Sequence, residues 1–147
     1  MRPLFTIGYE RASLLELTAR LVEVGVSLVV DVRELANSRR PGFSKNALRA
    51  GLAEGGISYT HLRPLGTPKA GRTAHQAGRM TEFWQAVEQS LETPGAGLAL
   101  AKLETLASEE RVCLLCLEED PHVCHRSAVT ARLGGGPYLI THLREPS

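Results

Sequence analysis

The sequence has only three cysteines, a net charge of +1 and no apolar run of membrane length. A small odd number of cysteines without a secretory leader argues against a disulfide framework. The lack of a long apolar run argues against a membrane-spanning helix, and without a charged-then-apolar leader the cytoplasm is the default expectation. The net charge does not reach the basicity expected of a dedicated DNA-binding domain.

With 147 residues, of which 43% are apolar and 22% charged, the chain is expected to form one α/β domain, 1–147, with a buried core. Its charge is unevenly distributed. Residues 33–80 hold nine Lys and Arg against two Glu, a net charge of +7, and the remaining residues carry −6. This basic block is typical either of a surface that attracts anions or of a solvated arginine-rich segment.

Apolar spacing predicts strands that alternate with helices. Ser13 and Glu16 match a capping box at the start of the first helix, and Gly25 is a stop signal. Residues 63–80 contain Gly, Pro and basic side chains without apolar periodicity, which predicts a functional or mobile loop. The predicted strands are 4–7, 28–32, 57–62, 111–117 and 137–142, and the predicted helices are 13–24, 44–54, 81–92, 98–106 and 126–133.

This alternation predicts an α/β fold: a mainly parallel open sheet of about five strands with helices on both faces. The carboxyl ends of parallel strands lie along one edge, where open α/β folds bind their ligands. Polar residues end or follow four of the predicted strands, namely Gly8-Tyr9, Asp31 to Arg33, His61 and Cys116 to Glu118. We therefore expect one site at this edge, built from four separate strands.

The connection from Cys116 to Arg126 holds two thiols, two imidazoles, three carboxylates and a guanidinium. It joins an apolar strand to a helix pattern. Cys113 lies three residues before Cys116 on that strand, so the two side chains point to opposite faces with Cα atoms roughly 10 Å apart. This spacing excludes a thioredoxin-like pair, and Cys113 is interpreted as a small core residue.

Cys124, at the start of the last helix, has three interpretations. The helix dipole, His125 and Arg126 favour its thiolate, which suits a catalytic nucleophile. Alternatively, it is a packed cysteine whose neighbours bind another group. Thirdly, Cys116, Cys124, His122, His125 and a carboxylate could hold zinc, although this spacing matches no compact zinc motif and adjacent Cys and His side chains rarely converge on one ion.

Arg126, beside the free N–H groups of a helix start, forms a candidate anion cradle. The segment is not a phosphatase or sulfurtransferase loop, because nine residues rather than five separate Cys116 from Arg126. Acidic residues within it would also repel phosphate.

Glu118 suits a general acid or base, or an ion-pair partner of Arg33 or Arg126. Asp31 ends a wholly apolar strand, which favours a buried ion pair with one of the same arginines.

Two more side chains have a structural and a functional interpretation. His61 suits either a hydrogen-bonded edge histidine or a site histidine. Phe43, which follows Arg39 closely, suits stacking or covering of the site.

Five motifs run along the chain from about residue 4 to residue 133. They are Thr6-Ile-Gly8-Tyr, Val30-Asp31-Val-Arg33, Arg39-Arg-Pro-Gly-Phe43-Ser, Tyr59-x-His61-Leu-x-x-Leu65-Gly66 and Cys116-x-Glu118-x5-Cys124-His125-Arg126. In this order they resemble the domain-of-unknown-function family 488, and the last motif is the most specific. The resemblance implies an intracellular α/β domain with an unassigned activity. Where the family usually has Gly-His-Ser, this sequence has Gly8-Tyr9-Glu10.

The preferred hypothesis is a small cytosolic enzyme that acts on an anionic, nucleotide-like or nucleic-acid-like substrate, with no cofactor or metal assigned. The expected catalytic residues are Cys124, Glu118, His61 and His125, and the expected substrate-binding residues are Asp31, Arg33, Arg39, Phe43, Cys116 and Arg126. One alternative is a non-enzymatic module that binds nucleic acid or a protein partner, with the Cys-His-Arg segment as scaffold. Another is a structural metal site. No membrane association is expected.

Overall fold

A computed structural model describes residues 2–133 and 138–144. Within these residues, parallel strands form one sheet in the order β3-β2-β4-β1-β5. The strands are β1 (Arg2–Gly8), β2 (Leu28–Asp31), β3 (Ser58–His61), β4 (Val112–Cys116) and β5 (Tyr138–Leu143). The helices are α1 (Leu14–Glu23), α2 (Lys45–Glu54), α3 (Lys69–Gln76), α4 (Met80–Leu91), α5 (Pro94–Glu109) and α6 (Arg126–Ala131). The prediction of a parallel α/β fold is confirmed.

The sheet separates two apolar cores, because successive strand residues point to opposite faces. On one face, buried leucines of α1 and α2 pack against the sheet together with Cys113. On the other, α4, α5 and α6 pack against a core that includes Cys116 and Cys124. The opposite faces of Cys113 and Cys116 confirm that they are not a redox pair. β2 and β4 are buried along their whole length, as expected for inner strands with helices on both sides.

Local signals fix the starts of two helices. The capping box of α1 is present: the Ser13 hydroxyl accepts from Glu16 N, and the Glu16 carboxylate accepts from Ser13 N. α5 begins at Pro94, four residues before the predicted start, because Pro is tolerated in the first turn and Thr93 caps the helix. Pro137, the predicted first residue of the closing strand, lies outside the described residues. Among the described helices, none is long and apolar enough to cross a membrane.

The prediction of a loop over residues 63–80 is wrong. The segment forms a 3-10 turn, Arg63–Leu65, and then α3. The buried residues of α3 are Gly71 and Ala74, so its packed face carries no apolar periodicity. A Cβ at Gly71 would lie 2.7 Å from the Thr67 methyl carbon, which shows how closely this helix is packed. α3 contributes Arg72, His75 and Gln76 to the lining of a cavity at the surface.

Candidate functional site

The carboxyl ends of β1, β2 and β4 lie side by side in the middle of the sheet. Gly8 pairs in register with Cys116, and Asp31 pairs with Leu115. The connection after β1 continues into α1 on one face, and the connection after β4 continues into α6 on the other. This divergence is the topological switch point at which open α/β sheets form their binding crevice.

Gly8 is required where the connection after β4 crosses the end of β1. A Cβ at this position would lie 1.7 Å from the main-chain oxygen of Glu118, so only glycine permits the approach. Two main-chain bonds hold the crossing together, Tyr9 N to Cys116 O at 3.1 Å and Glu10 N to Leu117 O at 2.8 Å. The crossing places Glu118 over the switch point.

Cys116 and Cys124 meet in the interior beside this crossing. The structure joins their sulfur atoms as a disulfide, which the odd cysteine count did not predict. Their Cα atoms are 7.7 Å apart, whereas disulfides usually join Cα atoms about 4.4–6.8 Å apart. Both side chains are almost fully buried, so neither sulfur is accessible to a substrate from the surface.

His125 is held as a neutral imidazole. Its Nε2 donates to the Val32 carbonyl oxygen at 2.6 Å, and its Nδ1 lies 3.8 Å from Cys124 Sγ. Burial lowers the pKa of His125 from 6.5 to about 4. The Nδ1 lone pair is therefore directed toward the sulfur pair. One ligand atom from each of Cys116, Cys124 and His125 lies within 4.8 Å of the others.

Arg126 is fully buried, and its guanidinium bonds to the protein at every nitrogen. Nε donates to Thr6 Oγ1 at 3.0 Å, Nη1 to Cys116 Sγ at 3.0 Å and to Glu118 O, and Nη2 to Glu119 O at 2.8 Å. The side chain therefore holds the crossing in place and brings positive charge to Cys116 Sγ. Arg126 does not line either cavity of the site, so the prediction that it forms an anion cradle is wrong.

Glu118 presents its carboxylate at the cleft. Oε2 lies 3.7 Å from Cys116 Sγ, and Oε1 lies 3.8 Å from Nε2 of His75. Burial raises the pKa of Glu118, although the charges of His75 and Arg126 oppose this effect. His75 itself donates to the Val123 carbonyl oxygen at 2.9 Å. Sequence reasoning missed His75 because it lies on α3, which was taken for a loop.

Two neighbouring cavities form the cleft, and they share the residues Thr67, Arg72, Leu117 and Glu118. The first, of about 200 Å³, is also lined by Tyr9, Arg33, Glu34, Leu35, Asn37 and His125. The second reaches Glu10, His75, Gln76 and Phe83. Arg72 Nη1 donates to Glu34 Oε1 and to Thr67 O, both at 2.8 Å. Arg72 and Glu118 are the charged residues common to both cavities.

Asp31 and Arg33 form the expected ion pair beneath the cleft. Arg33 Nε and Nη2 donate to the two carboxylate oxygens at 2.9 and 2.7 Å, and the Tyr59 hydroxyl donates to Asp31 Oδ2 at 2.5 Å. Arg33 Nη1 donates to the Phe43 carbonyl oxygen at 2.7 Å. The Phe43 ring is stacked on Tyr9 with centroids 4.4 Å apart. This network is a rigid floor for the first cavity.

His61 and Arg39 lie apart from the cysteine pair. His61 Nε2 bonds to the Arg33 carbonyl oxygen at 2.6 Å, and Arg39 is exposed. Neither residue is among those that line the two cavities, and the same holds for Phe43. The structure thus brings together Cys116, Glu118, Cys124, His125 and Arg126 at one point, with Asp31 and Arg33 next to them.

Comparison with known proteins supports the sequence resemblance. A family model described as "Domain of unknown function DUF488" matches residues 13–133, which is most of the chain. No curated protein and no solved structure gave a significant match.

Proposed function

This chain belongs to the DUF488 family, and from its cleft we propose that it is an enzyme acting on a small anionic substrate. The observation that carries the proposal is a shielded carboxylate, Glu118, in the wall common to two cavities at the switch point of the sheet. Arg72 lies in the same wall. A proton-transfer group and a cation therefore face the same space.

Glu118 is the proposed general acid or base. Its burial raises its pKa, and a raised pKa is one way in which carboxyl groups are adapted to proton transfer. His75 Nε2 lies 3.8 Å from Glu118 Oε1, close enough for the two side chains to interact electrostatically. In this proposal His75 is a positioning residue, since it is also anchored to Val123 O.

Arg72 is the proposed binding group for the substrate anion. Its side chain is one-third exposed, and its bonds to Glu34 and Thr67 both use Nη1. Its Nε and Nη2 make no hydrogen bond to the described residues, and in this proposal they are the donors to the ligand. Arg33 and Arg126 act in this proposal by fixing the floor and the crossing, because their donors are bonded within the protein.

A nucleic-acid-binding module is less well supported. Several side chains of the basic block are already engaged within the protein. Arg33 pairs with Asp31, Arg79 pairs with Glu82, Arg49 stacks on Tyr59, and Arg40 donates to main-chain carbonyls. A surface that reads phosphates by counterion release needs many uncommitted cations.

Substrate profiling tests the proposal. Purified protein is incubated with a mixture of cellular small molecules, and mass spectrometry identifies compounds that are consumed. We expect the wild type to consume at least one phosphate- or carboxylate-bearing compound and the isosteric Glu118→Gln variant to leave it unchanged. For that compound, Arg72→Met should raise KM more than it lowers kcat. Equal consumption by wild type and Glu118→Gln, or no consumption by the wild type, would contradict the proposal.

A further inference from the structure

We propose that Cys116, Cys124 and His125, with both thiols reduced, bind a divalent transition-metal ion of the zinc class. Their ligand atoms lie within 4.8 Å of one another, and all three residues are buried. Two thiolates and an imidazole form the donor set that selects zinc-like ions over magnesium or calcium. The inference deepens the proposed function by giving its cleft a cofactor, and it rests on that function only for the catalytic use of the ion.

The backbone explains why adjacent side chains converge here. Cys124 is extended, with φ −120° and ψ 141°, whereas His125 is helical, with φ −61° and ψ −16°. The change of conformation between them turns Sγ and Nδ1 toward the same point, 3.8 Å apart. Around a tetrahedral zinc ion, sulfur and nitrogen ligands are roughly 3.6 Å apart, given bonds of about 2.3 and 2.0–2.1 Å. The observed pair fits this spacing.

The separation of Cys116 and Cys124 also suits a shared ion. Their Cα atoms, at 7.7 Å, lie beyond the usual disulfide range of about 4.4–6.8 Å. In the reduced protein, side-chain rotation can move the two sulfur atoms apart to admit an ion, and the backbone does not need to close further.

Hydrogen bonds with neighbouring groups prepare the imidazole and one of the sulfur atoms for a metal. The Nε2–H of His125 donates to Val32 O at 2.6 Å, which leaves Nδ1 as the free lone pair. A histidine that binds a metal usually donates its other ring N–H to a carbonyl or carboxylate in this way. Arg126 Nη1 donates to Cys116 Sγ at 3.0 Å and so stabilises negative charge on that sulfur.

The buried charge of Arg126 gives an independent reason to expect thiolates. Its guanidinium is fully buried, yet no carboxylate among residues 2–133 and 138–144 forms an ion pair with it. Its bonds go to Thr6 Oγ1, two main-chain carbonyls and Cys116 Sγ. Buried cations are ordinarily paired with anions. The carboxylate of Glu118 acts on Arg126 only from beyond ion-pair distance. A thiolate at Cys116 would place an anion in direct contact with the guanidinium, which neither a thiol nor a disulfide does.

An ion held by these three residues would have Glu118 and the cleft as neighbours. Glu118 Oε2 lies 3.7 Å from Cys116 Sγ and lines both cavities, and His125 lines the first. Catalytic zinc sites have three protein ligands and keep one position for water or substrate, whereas structural sites are closed by four. With three protein ligands and Glu118 alongside, the proposed site would be of the catalytic type.

Cobalt titration of the reduced full-length protein tests the proposal. We expect one Co2+ per chain, with a thiolate-to-cobalt charge-transfer band and the intense visible bands of tetrahedral coordination. Cys124→Ser should remove the charge-transfer intensity of one sulfur, and His125→Gln should weaken affinity by more than about tenfold. Cys113→Ala is the matched control, because Cys113 lies on the opposite face of the sheet, and it should leave the spectrum unchanged.

The proposal is overturned if reduced wild-type protein binds no Co2+, or binds it without a thiolate band. It is also overturned if Cys113→Ala removes the band while circular dichroism shows a folded protein. If Cys124→Ser does not fold, His125→Gln carries the test, since glutamine can keep the bond to Val32. Cobalt binding without Glu118-dependent activity would contradict the proposed enzyme alone. Activity without cobalt binding would contradict the metal site alone.

Discussion

Acidification should destabilise the metal-free protein, with its disulfide between Cys116 and Cys124 intact, through His125. Burial lowers the pKa of this imidazole from 6.5 to about 4, so the unfolded chain takes up its proton at a higher pH than the folded chain. Between these values the unfolded state binds more protons, and stability falls as the pH falls. This lowering of the pKa corresponds to a stabilisation of about 3 kcal/mol, which is present above about pH 6.5 and lost by about pH 4.

Urea unfolding followed by circular dichroism, from about pH 7 down to about pH 4, measures this loss. His125→Gln is the matched control, because its amide nitrogen can donate to Val32 O and does not titrate. The free energy of unfolding of the wild type should fall by about 3 kcal/mol relative to the variant across this window. Parallel curves for the two proteins would show that His125 does not titrate with a lowered pKa and would refute the reasoning.

Two further predictions concern residues that support the site from outside its cavities. Gly8→Ala should lower the free energy of unfolding by about 1–3 kcal/mol, because its Cβ would lie 1.7 Å from Glu118 O; an unchanged urea midpoint would contradict the close crossing. Tyr59→Phe should cost about 1–2 kcal/mol in the same assay, because it removes the hydroxyl that donates to the buried Asp31 carboxylate at 2.5 Å. For that variant, a stability equal to the wild type would show that the hydrogen bond contributes nothing.

Most of the fold was predictable because its signals are local or periodic. The capping box at Ser13 and the wholly apolar runs of β2 and β4 identify elements that the structure contains. α3 was missed because Gly71 and Ala74 form its buried face, and small residues carry little hydropathy signal. Because α3 was not predicted, His75 was not recognised as a candidate site residue.

The site was predictable in position more than in geometry. Strand ends meet at one edge in a parallel sheet, so Asp31 and Cys116 were placed correctly relative to each other. The direction of each side chain was not predictable. Arg126 turns inward because its partners include Thr6, 120 positions away, and a main-chain carbonyl brought close by Gly8. No pattern within the segment from Cys116 to Arg126 encodes these distant contacts.

The central claim is that the sulfur pair, the imidazole and the cleft form one metal-dependent site. Crystals of the reduced protein prepared with zinc can be measured on both sides of the zinc absorption edge. The account predicts one anomalous peak bonded to Cys116 Sγ, Cys124 Sγ and His125 Nδ1, with its open side toward Glu118. A peak bonded to other residues, or its absence from crystals whose cysteines are reduced, would contradict it.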